Sequence, residues 1–509
     1  MGGEHLTRLE AHKGSADFSG SGPDAFSALL RAVAREVSNK PGEAHRPVTP
    51  WTRPSMPPFE ERGGEKMDVN SMPGTTGGGV PNAVQNRLKA TGYPIFEDAD
   101  HAYGSEQAVR AMENQCGWNV STSNFNDLTC MQNVAFDSSP PSLPVGPELI
   151  DIVTPSIRDL DFLNRWREFF QGFHIIIVQD GDPSKLLRVP DWVDYELYNR
   201  DDIKKSLGKH QWIISSRDAS IRNFGFLVSK KEFIYTIDDD CFPALDQYGF
   251  AINPIALHLR NLQTPATPYM FNTLYDPYVN GSDFVRGYPY SLRQGVPTAV
   301  SHGLWLNAPD YDAPTQLLKP QERNTNYADI TVTVPLGILY PMCSMNVAFA
   351  RQRIGPAFMQ GLMGDDQPWA RYDDMFAGWA SKVVADHLGM GVKSGQPYIR
   401  HNKASNPFTN LKKEYKGLWW QERIIRFFMN VSFSTAVKTA GQAYRELAGQ
   451  IEAHLLQVHP YFGRLASAMR TWILVWDKAA NGTVVFNPSR SAQPGLPTLN
   501  VGSASRRPQ

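Results

Sequence analysis

Three consecutive carboxylates, Asp238, Asp239 and Asp240, end the apolar, β-branched run Phe233 to Ile237 inside Lys231-Glu-Phe-Ile-Tyr-Thr-Ile-Asp-Asp-Asp-Cys-Phe-Pro243. The run has the composition of a buried strand. Side chains alternate faces along a strand, so Asp238 and Asp240 are expected on one side and Asp239 on the other. Two carboxylates converging at the carboxyl end of a central strand suit a hard divalent cation that in turn grips a diphosphate. A solvated acidic turn is the simpler alternative, and the core strand in front of it favours the metal.

Just ahead lies Arg217-Asp-Ala-Ser-Ile-Arg-Asn-Phe-Gly225, where Ile221, Phe224 and Val228 make a core-facing helical stripe and Ser215 with Asp218 resembles a capping box. Asp218 and Arg222 are four apart, the spacing of an ordinary helix ion pair worth ~0.3–0.5 kcal/mol. Arg222 equally suits a diphosphate, because guanidinium matches phosphate oxygens in a two-pronged geometry. Farther on, Arg371-Tyr-Asp-Asp-Met375 brings Asp373 and Asp374 to a helix start, and Tyr398-Ile-Arg-His-Asn-Lys403 offers His401 and Lys403. Taken singly, these are dipole partners and a structural histidine. Taken with the triple Asp they supply metal ligands, a polar group for a sugar and positive charge for a departing diphosphate. His302 and Trp305 suit the lining of a sugar pocket and core packing about equally.

These residues need elements to hold them. From Leu149 to about Asp477 strands and helices alternate: strands at Leu149–Val153, His174–Val178, Tyr195–Tyr198 and Trp212–Ile214, a helix on Leu160, Leu163, Trp166 and Phe170, and another over Ser216–Ser229. That order implies an α/β fold with a mostly parallel sheet covered on both faces. Ligands of such sheets sit beyond the carboxyl ends of the strands, which places Thr154-Pro155, Asp180, Asp182 and the triple Asp around one crevice. Mixed strands follow at Pro268–Leu274, Ile330–Val334 and Met345–Phe349, then a helix over Trp369–Leu388, a polar loop at Tyr398–Asn406 and a helical region from Leu411 to Asp477.

Residues 1 to about 145 differ: Gly, Ser and Pro recur, as in Met72-Pro-Gly-Thr-Thr-Gly-Gly-Gly-Val-Pro81, and apolar periodicity is confined to a short helical candidate at Phe26–Val37. This extension reads as largely disordered, with a small ordered patch possible within Asn82–Phe136, and residues 479–509 read as a disordered tail. The intervening 146–478 is then the catalytic domain. Over 509 residues the formal charge is −1 and the apolar share 41%, which gives no electrostatic pull toward nucleic acid or anionic membrane. Four cysteines without a CxxC pairing fit a reducing compartment. No run approaches the ~18 apolar residues of a membrane span and no secretory signal opens the chain, so a soluble cytoplasmic protein is expected.

The stretches Tyr195-Glu-Leu-Tyr-Asn-Arg-Asp-Asp202, Tyr235-Thr-Ile-Asp-Asp-Asp-Cys241, Val285-Arg-Gly-Tyr-Pro289, Val296-Pro-Thr-Ala-Val-Ser-His-Gly-Leu-Trp-Leu306, Pro309-Asp-Tyr-Asp-Ala-Pro-Thr-Gln316 and Asn410-Leu-Lys-Lys-Glu-Tyr-Lys-Gly417 resemble the reversibly glycosylated polypeptides, the plant and algal UDP-arabinopyranose mutases. The resemblance runs from about Leu149 to about Asp477. It implies a GT-A type (Rossmann-like) nucleotide-sugar-binding fold, use of Mn²⁺ or Mg²⁺, and interconversion of UDP-arabinopyranose and UDP-arabinofuranose for cell-wall polysaccharide synthesis. It also implies reversible glycosylation of an arginine at the position of Arg222, assembly with itself or relatives, and association with the cytosolic face of the Golgi. Where typical members flank that arginine with cysteines, this chain has Ile221 and Asn223.

On this reading Asp238, Asp240 and His401 hold the metal, and Asp180, Asp182, Asp239, His302, Trp305 and Lys403 contact substrate. Arg222 either carries the sugar or steadies the charge beside it. A guanidinium with a pKa above ~12 is a poor nucleophile, so Asp218, Asp373 or Asp374 would have to take its proton. Two other readings are a transferase that passes sugar from UDP to an acceptor or to itself, and a non-catalytic partner of active mutases.

Overall fold

Apolar runs become strands wherever both of their faces are covered. The computed structural model describes residues 145–493 apart from 280–282, 290, 291, 365, 366, 403 and 404. The expected extension, with its Phe26–Val37 and Asn82–Phe136 candidates, and Lys403 lie outside the described residues.

Strands β1 (Ile150–Ser156), β2 (His174–Gln179), β3 (Asp194–Tyr198) and β4 (Phe233–Ile237) pair in parallel in the order β3-β2-β1-β4. This is the parallel sheet expected from the alternating pattern. Helix α1 (Arg200–Leu207) follows β3, started by a reciprocal cap between Asn199 and Asp202, and α2 (Asn223–Val228) precedes β4. On β1 and β2, Val153, Ile176 and Val178 enter one apolar core while Ile152, Ile175 and Ile177 enter the other, so the sheet is buried on both faces.

The remaining strands make the other half mixed. After β5 (Cys241–Pro243), β6 (Thr298–Asn307), β7 (Thr331–Thr333), β8 (Asn346–Ala350) and β9 (Gly391–His401), the order continues β4-β8-β6-β9-β5, with β7 also on β9. β8 is antiparallel to β4 and β6, whereas β6 and β9 run parallel. Helices α3 (Pro254–Gln263) and α5 (Asp373–His387) pack on this half, while α4 (Ala313–Leu318) packs against the Pro407–Met429 helix. Helices α6 (Pro407–Met429), α7 (Ala440–Leu455) and α8 (Tyr461–Ala480) form the helical C-terminal region. Leu447, Ile451, Leu465 and Trp472 from the last two are fully buried, each contributing about 1.5–3 kcal/mol by leaving water. An α/β sheet of the GT-A kind with appended helices is thus the fold, and among the described residues no helix is long and apolar enough to cross a membrane.

Four local expectations are corrected. Trp212 and Ile213 end a 3-10 turn, Gly208–Ile213, with Ile214 just past it, since three apolar residues suit a tight turn under a helix as well as a strand. Pro268–Leu274 forms no strand, and its Phe271 and Leu274 are exposed. Tyr398–His401 is not loop but the end of β9, paired with β6. Residues 479–493 are not free: Gly482 (φ +70°) turns the chain back after α8, Phe486 stands edge-on to Phe224 at 5.5 Å, and Arg490–Ala492 adds an antiparallel strand, β10, to β3.

Candidate active site

Strand β4 is buried from Phe233 to Ile237, and the chain leaves it in a turn closed by the Cys241 amide donating to the Asp238 carbonyl at 3.2 Å. The three carboxylates therefore sit on a turn, and each is oriented by a partner of its own. Asp239 accepts from Ser156 Oγ at 2.7 Å and Arg158 Nε at 3.1 Å, both from the end of β1. Asp238 accepts from Arg222 Nη2. Asp240 faces His401 Nε2 across 3.8 Å.

Arg222 is 0% exposed. It ends a 3-10 turn, Ala219–Arg222, whose cap is Asp218: the Asp218 carboxylate accepts from the Ser220 amide at 3.1 Å and hydroxyl at 2.7 Å. Neither the expected Asp218–Arg222 ion pair nor a Ser215 cap is what orders this turn, because the Ser215 hydroxyl instead accepts from the Met363 amide at 2.8 Å. Gly225 lets α2 lie against the sheet, since a Cβ there would stand 2.5 Å from Val153 Cγ1. Beyond Asp238, Arg222 donates to Ala219 O at 3.0 Å and to Thr236 Oγ1 and Ser344 O at 2.9 Å each. Burial opposes its charge, yet Asp238, Asp373 and Asp374 together hold its pKa above the ordinary value. A guanidinium bound this way cannot meet a sugar unless Asp238 and the Ser344 carbonyl release it.

On the far side of Arg222, α5 begins with Asp373 and Asp374. Asp374 accepts from the Met375 amide at 2.8 Å and the Ser344 amide at 3.3 Å. Burial and the neighbouring Asp310 push its pKa up to about 7. Asp373 is also pushed up, by burial and by Asp218 and Asp374. Arg371, in a left-handed conformation (φ +60°), donates to Glu414 at 2.8 Å, and Glu414 accepts from the Ala313 amide at 2.7 Å. This clamp ties the start of α5 to α6 and α4.

The other expected residues divide. Asp180 is buried and committed to internal partners: the Gly181 amide at 2.8 Å, Arg200 Nε at 3.0 Å and the Asp218 amide at 3.3 Å. Asp182 is exposed and closes its own loop through the Ser184 amide and hydroxyl. His302 is buried, with Nδ1 at 3.0 Å from Ser394 Oγ and Nε2 accepting from the Cys343 amide at 3.2 Å. Burial lowers its pKa to about 4, so it is a neutral ring that fixes Cys343, with Trp305 edge-on at 6.3 Å. Asp180 and His302 thus organise the scaffold behind the site.

Sequence reasoning gave no chemistry to Arg158, Ser344, Asp310 or Cys343. Asp310 and Asp374 lie beside Cys343, their ligand atoms all within 4.8 Å of one another. The Cys343 thiol donates to Asp310 at 3.1 Å and is pushed well up by burial and these carboxylates, so it stays protonated. Only the acidic pattern Pro309-Asp-Tyr-Asp312, noted for its resemblance, pointed at Asp310.

For a cation, Asp240 and His401 are the fitting donors. His401 Nδ1 lies 2.8 Å from Ala308 O, so that nitrogen donates and the ring is held with Nε2 facing Asp240; burial opposes a charge on the ring, yet Asp240 holds its pKa above the ordinary histidine value. The two face each other across 3.8 Å, too long for a hydrogen bond, and offer one nitrogen and one oxygen donor that would hold a divalent ion. Asp238 is drawn away from this pair by Arg222.

A family model described as "Reversibly glycosylated polypeptide" matches residues 146–481, a span that holds every residue of the site described above. The chain is 59% identical over 344 residues to "Probable UDP-arabinopyranose mutase 1" of Pisum sativum, covering 68% of this chain and 94% of that one. It is 60% identical over 336 residues to "UDP-arabinopyranose mutase 1" of Arabidopsis thaliana (66% and 94% covered) and 58% over 355 residues to that of Oryza sativa subsp. japonica (70% and 96%). With this match from β1 through α8, the chain belongs to the reversibly glycosylated polypeptide family.

Proposed function

We propose that this protein is an intramolecular transferase that interconverts UDP-arabinopyranose and UDP-arabinofuranose. The observation that carries the reading is the 59% identity to a probable UDP-arabinopyranose mutase, extending over 94% of that relative. The pyranose ring cannot contract while C1 is a phosphate ester, so UDP must leave C1 and return. A Mn²⁺ or Mg²⁺ ion held by Asp240 and His401 would supply the charge that stabilises the departing diphosphate. Arg158, half-exposed at the same turn, adds a guanidinium able to face phosphate oxygens while its contact with Asp239 keeps the turn in shape.

Arg222 acts from beneath: by holding Asp238 and the Ser344 carbonyl it sets the floor on which C1 becomes positive, and the carboxylates above that floor stabilise the charge. Reversible glycosylation of Arg222, the family resemblance's implication, requires that floor to open. The same resemblance supports assembly with itself or relatives, work at the cytosolic face of the Golgi and supply of furanose donors for cell-wall polysaccharides. The test is product analysis: purified protein with UDP-arabinopyranose and Mn²⁺, the two ring forms separated by chromatography, with and without chelator. Formation of the furanose nucleotide without net release of UDP supports the mutase; UDP release matching product points to a transferase.

A further inference from the structure

Ring contraction has a proton balance that the departure of UDP does not meet. In the pyranose nucleotide the 4-hydroxyl carries a proton and the ring oxygen O5 does not; in the furanose form the 4-oxygen is in the ring and O5 is a hydroxyl. Once the C1–O bond to UDP has broken, a bond from O4 to C1 forms as O4 loses its proton, the C1–O5 bond breaks as O5 gains one, and UDP then re-forms its bond to C1. The net change is one proton moved from O4 to O5, in either direction. A pair of carboxyl groups holding a single proton matches this: one side takes, the other gives, and the pair ends with the proton count it began with.

The structure holds such a pair at the site. Asp310 and Asp374 have carboxylate oxygens within 4.8 Å, and two carboxylates this close ionise together only at high cost. Neither is placed by chance: two backbone amides, Ser344 and Met375, orient Asp374, and the Cys343 thiol orients Asp310. The groups facing Asp374 from other elements are Asp310 from the segment after β6, Asp238 from the β4 turn and the Arg222 guanidinium. Both carboxylates are partly exposed and lie beside the buried Cys343. We propose that Asp310 and Asp374 are the acid–base pair of the ring contraction, the ionised member removing the proton of the 4-hydroxyl and the protonated member delivering one to the ring oxygen. Asp310 thereby becomes a catalytic residue. This rests on the mutase reading above.

Positional isotope exchange separates the two steps. With oxygen-18 in the C1–O–P bridge of UDP-arabinopyranose, scrambling of label into the β-phosphate reports that UDP leaves and returns, and chromatography reports contraction. In full-length Asp310→Asn, scrambling persists within about threefold of wild type while furanose formation falls about 100-fold or more, the usual worth of general acid–base catalysis. Asp310→Ser, which keeps an acceptor for the Cys343 thiol, gives the same pattern and guards against a fold defect in the first variant. Contraction at wild-type rate in either folded variant overturns the proposal, as does an equal loss of scrambling and contraction. Loss of Mn²⁺-dependent UDP binding in calorimetry also overturns it, making the trio with Cys343 a metal site instead. Wild-type protein that neither scrambles nor contracts defeats the mutase reading itself, an outcome distinct from these.

Discussion

Replacing Arg222 with methionine tests how the site floor is built. The side chain is fully buried, and its removal strands Thr236 Oγ1, the Ser344 carbonyl and one oxygen of Asp238. Breaking a buried ion pair by deleting one partner costs about 3–5 kcal/mol, and the partial exposure of Asp238, whose side chain is 31% accessible, puts this case near the lower figure. At about 2.1 cal/mol/K per residue for a domain of roughly 350 residues, that is a fall in Tm of about 4–7 °C. Asp238→Asn removes the charge that Arg222 neutralises, so Arg222→Met added to it costs less than it does alone. The coupling is expected to be about 1 kcal/mol or more in a double-mutant cycle read by chemical denaturation. Arg222→Met within about 1 °C of wild type, or strict additivity with Asp238→Asn, refutes the buried anchor and returns Arg222 to a role facing substrate.

Three further outcomes follow from the geometry. Asp240→Asn removes cation-dependent UDP binding in calorimetry with little change in Tm, because that carboxylate is 20% exposed and faces His401 across 3.8 Å, beyond hydrogen-bond reach. Gly225→Ala brings a Cβ to 2.5 Å from Val153 and costs about 1–3 kcal/mol by overpacking, seen as a lower denaturant midpoint. Asp374 has a folded pKa of about 7 against an ordinary aspartate value of 3.8, so between those values the native state binds more protons than the unfolded chain. Its stabilising contribution is complete below pH ~4 and is lost as pH rises to about 7, and Asp374→Asn flattens that part of the Tm–pH curve.

What could be seen in the chain was what local pattern determines. Phe233–Ile237 announced a buried strand and its acidic end a site, because strand and turn lie within nine residues of each other. Ser344 and Cys343 were invisible, and Asp310 showed only as part of an acidic pattern, because β8 and β6 bring them to Asp374 only through pairings across long stretches of chain. Tyr398–His401 looked like loop on polarity, yet its register with Leu304–Asn307 on β6 makes it strand and delivers His401 to Asp240. The alternation expected of Asp238–Asp240 gave way to a turn in which three neighbours, Arg222, Arg158 and His401, each claim one carboxylate. Residues 483–492 carry no periodic pattern at all; Phe224 and β3 hold them.

The most direct measurement starts from each nucleotide in turn. Purified full-length protein with Mn²⁺ is given UDP-arabinopyranose in one reaction and UDP-arabinofuranose in the other. Both are expected to converge on one ratio of the two ring forms while free UDP stays flat, and Asp240→Asn is expected to halt both. Two separate end points, or UDP accumulating in step with lost substrate, would contradict the account.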